Sequence, residues 1–70
     1  MGLGKRKNSL AFWRRVRGLS QEDLGRLVGV CSRTIWSWEN DTSMPTKAQA
    51  ERMARLLRTN IRELFPFEVF

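Results

Sequence analysis

The 70-residue chain has no histidine, no tyrosine, one cysteine and two prolines. Without histidine, and with no second thiol to join Cys31, the nitrogen and sulfur donors of ordinary zinc sites are missing. One cysteine also excludes an internal disulfide, and a lone thiol suits a reducing compartment. There is no histidine to serve as a general base and no glycine-rich phosphate loop. Serine and carboxylate meet only at spacings that read as helix caps. The chain is therefore not expected to be an enzyme, and no cofactor and no metal are expected. No apolar run approaches the roughly 18 residues that span a bilayer. The basic start, Met1 to Lys7, is not followed by the apolar stretch of a secretion signal. A cytoplasmic protein with no membrane partner is expected. Seventy residues allow one domain, burying roughly 60% of the unfolded surface and leaving no room for a deep substrate cleft.

What the chain has in excess is positive charge. Thirteen lysines and arginines against seven acids give a net charge of +6 and a pI near 11.1, a balance that attracts polyanions. The surplus is uneven. Residues 1–19 carry Lys5, Arg6, Lys7, Arg14, Arg15 and Arg17 and no acid, whereas residues 20–46 carry two cations and four acids. Residues 1–8 read as a flexible basic arm, and Lys5, Arg6 and Lys7 are candidates to follow a DNA groove.

Apolar spacing and capping residues divide the remainder into five short helices. Asn8 or Ser9 can cap a first helix over about 10–17, with Leu10, Trp13 and Val16 on one face and Gly18 as its stop. Ser20 with Asp23 is a capping box, the latter a shorter stand-in for Glu. It opens a second helix over 21–28 with Leu24, Leu27 and Val28 as its stripe, closed by Gly29. A third helix opens near Cys31 or Ser32 and runs to Glu39, with Ile35 and Trp38 inward. Thr46 and Gln49 box the start of a fourth, about 47–58, whose Ala50, Met53, Ala54 and Leu57 keep the i, i+3, i+4, i+7 pattern. Asn60 with Glu63 opens a short fifth helix that Pro66 ends. Phe65, Phe67 and Val69 alternate, which suits a short strand. Trp13 and Trp38 are expected in the core, and Cys31 as a small buried apolar residue. The fold class is all-α: a five-helix bundle followed by a short apolar tail.

The informative unit is residues 19–40, LSQEDLGRLVGVCSRTIWSWEN, two helices of about eight residues around a turn at Gly29. Such a turn sets two helices at a steep angle, so that one crosses the DNA backbone while the other enters the major groove. Near the start of the second motif helix the non-core residues are Ser32 and Arg33, with Ser37 one turn on. These three are the candidates to touch base edges. Trp36 lies roughly 100° around the helix from Ile35. It is a candidate to lean on a sugar or a thymine methyl, or else to pack sideways.

The chain resembles the phage repressor and Cro-type (XRE-like) helix-turn-helix family. The matching residues are Arg14, Gly18-Leu19-Ser20-Gln21-Glu22-Asp23-Leu24, Gly29-Val30, Ile35, Trp38-Glu39-Asn40 and Pro45, continuing through Leu57 and Asn60 to Leu64. The likeness covers about residues 9–66. It implies a compact repressor-type bundle in which Ser32, Arg33 and Ser37 read bases. It implies that Gln21, Thr34 and Asn40 touch the DNA backbone, with Gln21 also near Ser32 or Arg33. Arg14 and Glu39 take the places of a structural ion pair. Five positions depart from the family pattern: Gly25 for Ala, Cys31 for a capping Ser or Thr, Asp41 for Gly, Thr42 for a basic residue, and Arg58 for a helix-ending Gly.

The function these features imply is sequence-specific binding of double-stranded DNA by a transcriptional regulator of the repressor kind, with a homodimer on a palindromic operator as the usual arrangement. Residues 67–70 form an apolar tail, and Phe65, Phe67, Val69 and Phe70 are the candidate dimer contact. The alternative is an antitoxin-like or partner-dependent module that uses the same tail to bind another protein.

Overall fold

Polar residues in extended backbone begin three of the helices, each for a local reason. In the computed structural model, which describes residues 8–70, Ser20 accepts a hydrogen bond from the Asp23 backbone N–H, and the Asp23 carboxylate accepts one from the Ser20 N–H. Hydrogen bonding from the Ser20 backbone N–H, and then from the Ser20 hydroxyl, holds the Asp23 carboxyl below the usual carboxylate range. Thr46 and Gln49 make the same reciprocal box, and Asn60 takes the Glu63 N–H. The helices that follow are α1 (Leu10–Val16), α2 (Gln21–Val28), α3 (Ser32–Glu39), α4 (Lys47–Leu56) and α5 (Ile61–Leu64). Cys31, at the N-cap of α3, makes no side-chain cap to the backbone. The fold is all-helical, and among the described residues there is no strand.

Four helices end in the left-handed region, at Gly18 (φ 72°), Gly29 (φ 90°), Asp41 (φ 58°) and Arg58 (φ 60°). Glycine takes this conformation freely, and Asp tolerates it better than most. Arg58 has neither excuse. Its position two residues past Leu56 shortens α4 from the expected end at residue 58, and the Thr59 N–H closes the turn on the Ala54 carbonyl at 2.9 Å.

The core gathers one or more residues from every helix. Leu10, Leu24, Ile35, Met53, Leu57 and Leu64 are fully buried, with Trp38, Ala50, Ala54 and Phe65 beside them. Each fully buried aliphatic side chain contributes roughly 1.5–3 kcal/mol by leaving water. Two stripes are narrower than the apolar spacing suggests. Val16 is exposed, because two steps of three residues carry it about 120° round from Leu10. The inward place on α1 goes to Arg14 instead. Leu27 is exposed as well, while Val28 packs on the core. Trp13 is half-buried against the core, with Phe12 edge-on at 5.5 Å and the Arg17 guanidinium 5.9 Å from its ring centre.

α2 and the turn that leads into α3 meet more closely than a side chain permits. A Cβ built at Gly25 would fall 2.5 Å from the Val30 carbonyl oxygen and 3.3 Å from the Cys31 carbonyl carbon. Backbone cannot yield as a flexible side chain does, so the missing Cβ sets this approach.

The ends of the bundle are tied together. The Ser9 N–H donates to the Leu64 carbonyl at 2.9 Å. Asn8, assigned above to the arm, is anchored: its amide donates to the Trp38 carbonyl at 2.7 Å and to Asp41 Oδ1 at 2.9 Å, and its side-chain oxygen accepts from Leu10 N. Lys5, Arg6 and Lys7 lie outside the described residues. The tail is not a strand. Pro66 and Phe67 form a turn closed by Glu68 N on the Phe65 carbonyl, and no neighbouring strand exists among the described residues to pair with it. Phe65 is buried and Phe70 meets it edge-on at 5.8 Å, whereas Phe67 and Val69 face outward.

The strain at Arg58 makes a direct prediction. Arg58→Gly should raise the free energy of unfolding by about 0.5–1 kcal/mol, since relief of the left-handed penalty outweighs the added freedom of the unfolded chain. Thermal and urea unfolding check this; an unchanged or lowered midpoint refutes it.

Candidate nucleic-acid interface

The outer surface of α3 is set by what its inner surface must do. Ile35, Trp38 and Glu39 are buried, which commits the opposite side of the helix to solvent. Ser32, Arg33 and Trp36 are exposed there, and Thr34 and Ser37 are half-buried at the margins. The Arg33 guanidinium lies over the Trp36 indole, 5.7 Å from the ring centre. Thr34 Oγ1 is 3.4 Å from the Cys31 sulfur. Cys31 is exposed rather than buried, because the N-cap position of α3 points away from the core. Hydrogen bonding from the Thr34 hydroxyl lowers its thiol pKa.

The last turn of α3 is fixed from below by charge. Arg14 Nε donates to Glu39 Oε2 at 2.6 Å and Nη2 to Oε1 at 3.4 Å, with both side chains about nine-tenths buried. Arg14 Nη1 donates to the Leu19 carbonyl at 2.8 Å, so one guanidinium binds α1, the turn before α2, and α3. Gln21 completes the cluster: its amide donates to Glu39 Oε1 at 2.9 Å. Gln21 therefore turns toward the end of α3, not toward Ser32 or Arg33 at its start, because the Glu39 carboxylate offers the stronger acceptor. Among the described residues, no buried side-chain nitrogen or oxygen lacks a partner.

Beside this cluster lies an open cleft of about 320 Å³, lined by Ala11, Arg15, Gln21, Trp36, Glu39 and Asn40. Two candidate backbone contacts, Gln21 and Asn40, are thereby brought together with Trp36. The Asn40 amide also donates to the Trp36 carbonyl at 2.9 Å. Thr34, the third, is placed at the other end of α3. Arg15 was not singled out from sequence. Its signal was the basic block of residues 1–19 combined with Arg14 turning inward, which sends the next residue about 100° round α1 to the surface. Thr42, where a basic residue is frequent in the family pattern, spends its hydroxyl on the Ser37 carbonyl at 3.2 Å.

Among the described residues no helix is long and apolar enough to cross a membrane, and no three His, Cys, Asp or Glu side chains cluster as metal ligands. An uncharacterized HTH-type transcriptional regulator from Methanocaldococcus jannaschii is 32% identical over 62 residues, covering 89% of this chain and 94% of that protein. Among solved structures, hydroxypropylphosphonic acid epoxidase from S. wedmorenis superposes with a TM-score of 0.73 at 28% identity, over 89% of this chain. A second structure, Fe(II)-HppE with an alternative substrate, gives the same TM-score and identity. This chain spans only 36% of the epoxidase chain in the first structure and 35% of the chain in the second, so the likeness is to a part of each. The Helix-turn-helix family profile matches residues 10–64, from the first turn of α1 to the last residue of α5. The chain belongs to the XRE-type helix-turn-helix family of DNA-binding proteins.

Proposed function

We propose that this member of the family is a sequence-specific regulator of transcription that reads the major groove of double-stranded DNA with α3 and represses by occupying an operator. The observation that carries the reading is the division of α3. One side is locked by Ile35, Trp38 and the Glu39 pair, and the other offers Ser32 and Arg33 to solvent beside a cleft flanked by Arg15. A helix of this diameter fits the major groove, and a rigid inner side fixes the register of the outer one. Ser32, Arg33 and Ser37 contact base edges; Gln21, Thr34 and Asn40 contact phosphates and sugars. The basic arm, with Lys5, Arg6 and Lys7, adds sequence-independent attraction. Such a protein acts in the cytoplasm of a prokaryotic cell or phage-infected host and performs no catalysis of its own. The epoxidase activity named for the structural relatives belongs to longer chains, of which this one spans 36% in the first structure.

A single module has a small footprint, and two copies on a palindrome are the usual remedy. The apolar tail supports this arrangement. Phe67 is 53% exposed and Val69 is 96% exposed, next to a groove lined by Lys47, Ile61, Arg62, Phe65, Pro66, Glu68 and Phe70. The same surface favours a second reading, an antitoxin-like or partner-dependent module that binds a different protein there.

Four outcomes are expected. Selection from random duplexes at near-physiological salt should enrich a palindrome with half-sites about ten base pairs apart. Arg33→Ala should cut preference for that site by about tenfold or more, while retention of DNA without enrichment would refute sequence reading. Arg15→Ala should weaken all duplexes alike and reduce the salt slope of binding by about 1; an unaltered slope shows that Arg15 meets no phosphate. Deleting residues 67–70 should yield a monomer with weaker operator binding, and an unchanged sedimentation profile sinks the homodimer.

A further inference from the structure

We infer that Trp36 is a positioning residue for Arg33, holding its guanidinium at the angle from which it reads a base. The inference rests on the DNA-reading function proposed above and deepens it. Residues three apart on a helix are surface neighbours, and the Arg33 guanidinium lies 5.7 Å from the Trp36 ring centre. Tryptophan presents the strongest aromatic face for a cation. Arginine suits such a contact because its face and its edge do separate jobs. The guanidinium lies over the indole, and a planar guanidinium that uses its face toward a ring keeps the N–H groups at its edge available for paired donation to one base. A lysine in the same place would have no such division.

The Trp36 indole is partly enclosed. It is 44% exposed, so more than half of it is covered. Its other neighbours across the cleft are Arg15, Gln21 and Asn40, and Gln21 is itself pinned to Glu39. The indole thus stands between the last turn of α3, which the Arg14–Glu39 pair anchors, and the long side chain at the start of the helix. Arginine loses considerable rotamer freedom when it binds. Part of that loss is already taken in the free protein if Arg33 rests on the ring, so the gain falls on the matching base sequence rather than on duplexes in general.

The test uses the full chain and the duplex that wild type enriches, against a scrambled duplex of equal length. Trp36→Leu should lower the ratio of the two affinities by about two- to fivefold, the size of one exposed cation–ring contact. Trp36→Phe, which keeps an aromatic face, should restore most of it. In an Arg33→Ala background Trp36→Leu should have no further effect on the ratio. An equal loss on both duplexes, or a loss that persists without Arg33, overturns the inference and makes Trp36 a plain contact of its own. On the free protein, the Arg33 δ protons should be shifted upfield in wild type and Trp36→Phe and return to solvent values in Trp36→Leu. Unshifted wild-type protons overturn the inference as well. Because the proton shifts need no DNA, a failure of this contact is told apart from a failure of the DNA reading.

Discussion

The buried pair between Arg14 and Glu39 is where α1, the α1–α2 turn and the end of α3 are joined, and everything that α3 presents depends on it. A buried charge is costly unless its partner and its hydrogen bonds are complete. Removing one member of such a pair typically costs about 3–5 kcal/mol, although a well-packed apolar substitute is often as stable as the pair itself. The pair is thus a device for orientation more than for stability. Arginine serves it better than lysine because the guanidinium fork reaches Glu39 and the Leu19 carbonyl at once. Gln21 adds a third strand to the knot, and so makes the start of α2 and the end of α3 one rigid corner.

Rigidity at that corner is matched at the opposite end of the two-helix unit by the bare backbone at Gly25. There the Val30 carbonyl occupies the space a side chain would need. Between these two constraints the α2–α3 angle has little freedom. On the docking proposed above, a helix held this way meets DNA as a body, and its adaptability is confined to the side chains of Ser32, Arg33, Trp36 and Ser37. Their chemistry divides naturally. Short hydroxyls bond to several bases, whereas arginine favours the paired acceptors of guanine.

The elements most legible in the sequence are those whose cause is local. Ser20 with Asp23 and Thr46 with Gln49 are four-residue devices, and each helix starts where its cap stands. The boundaries between helices were likewise visible in glycine and proline. Less was legible where geometry depends on distant partners. Val16 and Leu27 have apolar side chains at helical spacing yet face solvent, because a helix in so small a bundle buries a narrow stripe and α1 gives part of its stripe to Arg14. α4 ends two residues before residue 58 because Arg58, at the place of a helix-ending Gly in the family pattern, takes the left-handed conformation that the Gly would take, which an arginine side chain does not announce. The tail alternates like a strand, but a strand needs a neighbour. Within the candidate site, the place of Glu39 opposite Arg14 was available only through family likeness, 25 residues apart in sequence. That Gln21 bonds to Glu39, and that Arg15 stands across the cleft from Asn40, emerges only once three helices are assembled.

The hydrogen bond from Ser9 to Leu64 has a consequence for how such a unit can be built into larger proteins. The polypeptide enters and leaves the bundle at a single corner, with the first residue before α1 touching the last residue of α5. A body joined at one corner can be inserted into a host loop, or carried on a stalk at either end, without separating its own helices. The match of this fold to about a third of a longer enzyme chain is in keeping with that architecture. Portability of this kind is a property of chain path rather than of any one helix, and it leaves the surface of α3 to diverge independently of whatever the bundle is attached to.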